Sequence, residues 1–179
     1  MADARDLKLL NAIKPRDAKR GNYPMSMEDV YQKPGHLIRR AQQIAVSIFL
    51  EECVPFDMTP VQYAALVAVR DNPGIDATRL SALVAFDRST LGNVLERMET
   101  KGLILRVGSK DDKRIKILYL SPRGATALKE VEPLARRAQE RILAPLAPKD
   151  RVIFMRMLSQ LVELNNDASR VPLRSGGVR

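Results

Sequence analysis

Basic side chains concentrate between residues 86 and 124. This stretch holds nine arginines and lysines against five carboxylates, a net charge of +4 within a chain whose formal net charge is +9. Lys110, Lys113 and Arg114 lie in a short charged segment between two runs of β-forming residues, 103–107 and 115–120. A hairpin tip of this kind can straddle a phosphate backbone and insert an arginine into a narrow minor groove. The predicted partner is a polyanion, with nucleic acid first and an anionic membrane surface second.

Short polar residues form a second chemically informative set, in the predicted helix that precedes this hairpin. Leu91, Leu95 and Met98 form an apolar stripe at helical spacing, so the opposite face carries small hydrogen-bonding and basic side chains. Such a face suits a helix in the major groove, although it also fits an ordinary solvated surface. The neighbouring hairpin favours DNA. The residues that we expect to contact DNA are Arg88, Ser89, Thr90, Asn93, Arg97, Lys110, Lys113 and Arg114.

The remaining reactive residue types argue against an enzyme. The chain has one cysteine and one histidine, which excludes an internal disulfide, a cysteine-based zinc site and a multi-histidine metal cluster within one chain. No pairing of a nucleophile with a base and no glycine-rich phosphate loop is evident. The sequence therefore predicts no catalytic residues, no metal and no cofactor.

No apolar run approaches the roughly 20 residues of a membrane span, and the N-terminus lacks the layout of a signal peptide. We expect a cytoplasmic protein without a membrane partner.

The elements that position these residues can be read from capping signals. Pro34 suits the first turn of a helix that runs to about Cys53, and Thr59-Pro60-Val61-Gln62 predicts a capping box at the next helix start. Asp76 and Asp87 are expected N-caps of two short helices separated by a tight turn. The hairpin follows, then two helices that begin after Ser121 and Ala147. This order predicts a mainly α winged helix-turn-helix fold.

The wing carries a family resemblance. Asp112-Lys113-Arg114 followed by Leu120-Ser121-Pro122-Arg123-Gly124 resembles the wing signature of MarR-type regulators, with Ser121 where threonine is usual. The resemblance covers residues 34–168. It implies a homodimer held by N- and C-terminal helices, with two winged helices on a pseudo-palindromic double-stranded operator. By position, 88–101 is the recognition helix, Arg114 the minor-groove arginine and Asp112 the residue that orients the wing.

The domain organisation follows from this resemblance and the element order. We expect an N-terminal arm (1–33), a dimerisation and ligand-lining helix (34–57), a winged helix-turn-helix domain (58–122), dimerisation helices (123–168) and a flexible tail (169–179).

The resemblance also implies a small anionic or phenolic effector in a crevice between the dimerisation helices and the winged helix. His36, Arg40 and Gln43 form a polar stripe on the first long helix, with Arg39 beside it. The arginines suit a carboxylate, and the apolar walls are expected to come from Phe49, Phe56, Met58 and Tyr63. The alternative is that this stripe is a solvated face or makes intersubunit ion pairs.

The predicted function is a ligand-responsive dimeric regulator, a repressor released from its operator by a small aromatic acid or its conjugate. A redox-responsive regulator acting through Cys53 is one alternative, although the adjacent Glu51 and Glu52 disfavour a thiolate. A ligand-independent architectural DNA-binding protein is the other.

Overall fold

The computed structural model describes residues 26–109, 112 and 114–174. Of these, residues 26–40 belong to one compact unit, and the others, from Ala41 onward, belong to a second. The elements of the described residues, in chain order, are α1 (Met27–Tyr31), α2 (Pro34–Glu52), a 3-10 turn (Val54–Phe56), α3 (Pro60–Asp71), β1 (Ile75–Asp76), α4 (Ala77–Val84), α5 (Arg88–Thr100), β2 (Ile104–Gly108), β3 (Lys116–Leu120), α6 (Pro122–Leu143), α7 (Pro148–Leu164) and a second 3-10 turn (Asn166–Ala168).

Side-chain caps start the helices where the sequence predicts them. Gln62 N donates to Thr59 Oγ1 at 3.2 Å, and Thr59 N donates to Gln62 Oε1 at 3.0 Å, which closes the expected capping box. Asp76 and Asp87 cap α4 and α5, and Ser121 caps α6. Ala147 precedes α7 without a side-chain cap. These caps satisfy backbone N–H groups that the first turn of a helix leaves without partners.

The predicted hairpin is the larger part of a small antiparallel sheet. Strand β3 lies between β1 and β2, and Ile104 pairs with Leu120 while Ile75 pairs with Leu118. Leu118, at the centre of the sheet, is 1% exposed. The two-residue strand β1 was not predicted, because two residues are too few to show the period of a strand.

The core lies between α3, α4, α5, α6 and the inner face of the sheet. Its fully buried side chains include Leu66 from α3, Leu80 from α4, Leu95 from α5 and Val131 from α6. Helix α6 approaches the residue before β2 so closely at Gly124 that a Cβ there would overlap the Leu103 carbonyl group. This contact fixes α6 against the start of the wing.

Helix α7 makes a different use of its apolar residues. None of its residues is buried in the described chain, and its exposed apolar side chains include Met155, Leu158, Leu161 and Val162. On α2, Ile44 and Leu50 are exposed in the same way. These faces contain more apolar surface than a solvated helix requires. In the part of the chain that the structure describes, no helix is long and apolar enough to span a membrane.

Candidate nucleic-acid interface

The N-terminus of α5 is organised around the Asp87 carboxylate. Thr90 N donates to Asp87 Oδ1 at 2.9 Å, Ser89 Oγ donates to the same oxygen at 2.6 Å, and Thr90 Oγ1 donates to Asp87 Oδ2 at 2.7 Å. The hydrogen bond from Ser89 and those from Thr90 lower the pKa of Asp87 to about 2. The carboxylate is therefore ionised at neutral pH and accepts from both hydroxyl groups.

The contacts with Asp87 determine whether the two hydroxyl groups can donate or accept further hydrogen bonds. A hydroxyl has one proton and two lone pairs, so Ser89 and Thr90 present acceptors once their protons point at Asp87. In a major groove, the matching donors are the amino groups of adenine and cytosine. From the sequence, both residues could equally have been donors.

The sides of α5 follow the predicted division. Leu91, Leu95 and Met98 are buried, which confirms the apolar stripe, whereas Arg88, Asn93 and Arg97 are exposed on the remaining surface. Asn93 and Arg97 also border one cleft, of about 590 Å³. Asn93 and Arg97 therefore share one accessible surface, and Arg88 is exposed in the first turn of α5.

The C-terminal end of α5 is anchored as firmly as its start. Lys101 Nζ donates to Asp57 Oδ2 at 2.7 Å, and this pair holds the pKa of Asp57 below its usual value. Gly102 follows with a φ of 68°, in the left-handed region where glycine is favoured, as the sequence predicts for a helix terminator. The N-terminus of α5 is thus capped by its own Asp87, and its C-terminal end is tied to the segment before α3.

The described part of the wing tip is shaped by Asp112. Arg114 N donates to Asp112 Oδ1 at 2.9 Å, and Ile115 N donates to the Asp112 carbonyl oxygen at 2.9 Å. The turn leaves the Arg114 side chain exposed. Lys110 and Lys113, which we also expect to contact DNA, lie outside the described residues.

The residues predicted to line a ligand site fall in two groups. In the first unit, Arg39 Nη2 lies 3.4 Å from His36 Nδ1, and the exposed Arg40 follows directly in the chain. In the second unit, the rings of Phe49 and Tyr63 meet at a centroid distance of 5.8 Å. Gln43, also in that unit, is exposed.

A cleft that contains two of the predicted apolar residues, Phe56 and Met58, lies beside the C-terminal end of α5. Its volume is about 600 Å³. Phe56 and Met58 form part of its wall, with Lys101 at one side and Arg123 and Glu130 from α6 at the other. Three separate chain segments build it, so no local pattern could have indicated it.

An ion-pair network at the end of α2 was also missed. Arg141 donates to Glu52 Oε1 at 2.7 Å and to Glu51 Oε2 at 2.8 Å, and Arg137 donates to Glu52 Oε2 at 3.1 Å. The hydrogen bonds from Arg141 and then Arg137 lower the pKa of Glu52. The network ties α2 to α6.

Cys53 lies next to this network and is 1% exposed. Burial, followed by the charge of Glu52, raises the pKa of its thiol. The sequence predicted the same direction from the neighbouring carboxylates, but burial is the larger cause. A buried thiol with a raised pKa is a poor nucleophile. Among the residues that the structure describes, no group of three or more potential ligands is arranged to hold a metal ion.

Two helices joined by a tight turn and followed by an antiparallel hairpin define a winged helix-turn-helix protein. Comparisons with known proteins agree with this class. Residues 56–115 match the model of the MarR family.

The transcriptional repressor NicR of Pseudomonas putida is 28% identical over 154 residues, which are 86% of this chain and 96% of NicR. The Escherichia coli regulator HosA is 30% identical over 106 residues, 59% of this chain and 78% of HosA.

Solved structures extend the match to 78% of the chain. PcaV of Streptomyces coelicolor, in complex with its natural ligand, superposes with a TM-score of 0.69 at 30% identity, covering 78% of this chain and 98% of PcaV. The repressor CouR, bound to a 23-mer DNA duplex, gives a TM-score of 0.69 at 27% identity, covering 78% of this chain and 99% of CouR. The chain belongs to the MarR family of transcriptional regulators.

Proposed function

We propose that the protein is a homodimeric repressor that binds a pseudo-palindromic DNA operator and is released by a small aromatic acid or a conjugate of one. The observation that carries the proposal is the construction of α5. Its apolar side is buried, its N-terminus is capped by Asp87, its C-terminal end pairs with Asp57, and its polar side is accessible beside a basic hairpin. A helix held in this way can enter a major groove with little loss of backbone conformational freedom.

In this proposal each part of the surface reads a different part of the duplex. Asn93 and Arg97 contact base edges, Ser89 and Thr90 accept from base amino groups, and Arg88 contacts phosphate near the N-terminus of α5. Arg114 enters the adjacent minor groove, with Lys110 and Lys113 on the flanking phosphates. That CouR, which is similar in fold, has been solved bound to a 23-mer DNA duplex supports a DNA-binding role for this chain.

A second copy of the chain is the proposed cover for the apolar surface of α7. Burial of the exposed leucine and methionine side chains of this helix stabilises a dimer by about 25 cal/mol for each Å² of apolar surface removed from water. A two-fold symmetric dimer buries the same surface on both subunits. It also sets two copies of α5 about one helical turn, roughly 34 Å, apart on one face of the duplex.

The effector proposal rests on the cationic side chains of the first unit. Arg39 and Arg40, with His36, provide donors for a carboxylate. That PcaV has been solved with its natural ligand supports a ligand response in this family. Linkage requires that effector and operator weaken each other's binding by the same factor.

Selection of duplexes from a random pool tests the DNA proposal. The full-length protein is expected to enrich a sequence with two inverted half-sites whose centres are about 10 base pairs apart. Enrichment of a single unrepeated element, or of none, would contradict a dimeric repressor. An electrophoretic shift of the selected duplex then provides the assay for effectors.

A screen of aromatic carboxylic acids, monitored by thermal unfolding and by release of the selected duplex, tests the effector proposal. Arg40→Ala is expected to keep operator affinity within a few-fold and to lose release by an active acid. Lys129→Ala, an exposed cation on α6, is the matched control and should respond normally. Normal release from Arg40→Ala would show that the acid binds elsewhere.

The redox alternative finds no support in the surroundings of Cys53. The thiol is buried and its pKa is raised, so oxidants meet mostly protonated sulfur. Cys53→Ser is expected to bind the selected duplex and to respond to an active acid as the wild type does.

A further inference from the structure

The segment after α7 folds back into a closed loop. Leu173 N donates to Asn166 Oδ1 at 2.8 Å, and Asn166 Nδ2 donates to the Leu173 carbonyl oxygen at 3.3 Å. One asparagine side chain therefore holds both backbone groups of a residue seven positions later. Within the loop, Ser169 Oγ donates to the Val171 carbonyl oxygen at 3.1 Å. We call residues 165–174 the C-terminal strap.

The strap docks on the first helix of the helix-turn-helix. Arg174 N donates to the Ala82 carbonyl oxygen at 3.2 Å. Ala82 lies in the last turn of α4, where carbonyl groups lack partners within the helix, and the N–H groups of Ala85 and Phe86 both go to Ser81. The strap thus supplies a donor that α4 needs, and it sets the cationic Arg174 at the negative end of the α4 dipole.

The strap also reaches the start of α5. Ser169, Arg170 and Val171 border a cavity of about 350 Å³ whose other wall is Ala85, Phe86 and Asp87. Asp87 is the N-cap of α5. Arg170 therefore lies beside the turn that joins the two helices, and its side chain is exposed, as is that of Arg174.

We propose that the C-terminal strap is part of the DNA-binding surface, where Arg170 and Arg174 contact phosphates that flank the recognition helix. This inference rests on the proposed function. In helix-turn-helix complexes the first helix crosses the sugar–phosphate backbone while the second enters the groove. A segment attached to the end of α4 and to the start of α5 borders that backbone.

The charge of the strap fits this partner. It carries two arginines and one carboxylate, Asp167. Arginine is the side chain best suited to phosphate, because its planar guanidinium group donates two parallel hydrogen bonds. A strap that served only to complete α4 would need the backbone N–H of residue 174 but neither guanidinium group. Removal of the charges alone therefore separates the two roles.

The test measures how operator affinity depends on salt. The probe is the duplex that the wild-type protein selects, and the variant is Arg170→Gln with Arg174→Gln. Each phosphate contact contributes about 0.9 to the slope of log K against log salt. Loss of the four contacts in a dimer should lower that slope by about 3.6, whereas the variant should melt as the wild type does.

Two further variants make the result specific. Lys129→Gln with Arg136→Gln removes the same charge from exposed positions on α6 and should leave the slope unchanged. Asn166→Ala opens the loop while keeping both arginines, so it should lower the slope in part and speed hydrogen exchange at the Arg174 amide. An unchanged slope for the strap variant, or an equal fall for the α6 variant, overturns the inference. If the wild type selects no duplex, the proposed function fails first, and that outcome is distinct from an unchanged slope.

Discussion

Helices α5 and α7 differ in whether their apolar residues are buried within the chain. Helix α5 inserts Leu91, Leu95 and Met98 into the core of its own chain, whereas none of the residues of α7 is buried in the described chain. A helix of the first kind is complete within one chain. A helix of the second kind is stable only when another surface covers it. The difference separates the part of the molecule that one chain specifies from the part that we propose two chains build.

The largest expected effect comes from charging the α7 face. Leu161→Glu places a carboxylate in the proposed interface between copies, so the dimer should dissociate into folded monomers. Because a monomer binds only one half-site, affinity for the selected duplex should fall by about 10²–10⁴-fold.

Light scattering and gel shifts measure the two effects of Leu161→Glu, and Gln160→Glu on the same helix is the control for charge. A Leu161→Glu protein that keeps the wild-type mass and affinity would show that α7 lies outside the interface.

Shortening a buried side chain of α5 should lower the stability of the single chain rather than its assembly. Leu95 is 2% exposed, so Leu95→Ala leaves a cavity and should lower the free energy of unfolding by about 2–5 kcal/mol. Glu96→Ala, its exposed neighbour, should change this free energy by less than about 0.5 kcal/mol. Urea denaturation at fixed protein concentration measures both. Similar values for the two variants would mean that α5 is not packed on the core as described.

The wing arginine acts on binding without acting on stability. Arg114→Ala should weaken binding to the selected duplex by about 1–3 kcal/mol and lower the salt slope by about one unit for each arginine lost. Its thermal midpoint should stay at the wild-type value, because the side chain is exposed. Lys129→Ala serves as the control for net charge. Full affinity in Arg114→Ala would remove the wing from the interface.

The smallest expected effect concerns acid. The pKa of Asp87 is about 2 in the folded protein against an ordinary value of 3.8. The ionised carboxylate therefore stabilises the fold at pH values above the pKa that it has in the unfolded chain. That contribution is lost as pH falls from about 4 towards 2. The free energy of unfolding should therefore decrease more over this range in the wild type than in Asp87→Asn. Parallel curves for the two proteins would contradict the described contacts of Asp87.

The signals that the sequence offered were local, and they predicted local structure well. The capping residues Thr59, Asp76 and Asp87 act within three positions, and the hairpin alternates over a few residues, so each can be recognised without knowing the fold. The amphipathic pattern of α5 likewise needed only its own helical period. These signals are enough to specify a winged helix-turn-helix.

Contacts between distant segments were beyond those signals. The pairs of Glu52 with Arg137 and of Asp57 with Lys101 join residues far apart in the chain, and charged side chains of either sign are common on any helix. The tail offers the clearest example. Its composition predicts a flexible segment from residue 169, yet residues 169–174 make hydrogen bonds within the loop and to Ala82, and residues 175–179 lie outside the described residues.

Cross-linking from α5 shows directly whether this helix faces the duplex. A cysteine placed at Asn93 in the Cys53→Ser background, carrying a photoactivatable aryl azide, is bound to the selected duplex and irradiated. Cross-links are expected to bases at two positions about 10 base pairs apart, one in each half-site, and none from a cysteine at Lys129 on α6. Cross-links from position 129 with none from position 93 would show that α5 does not face the duplex.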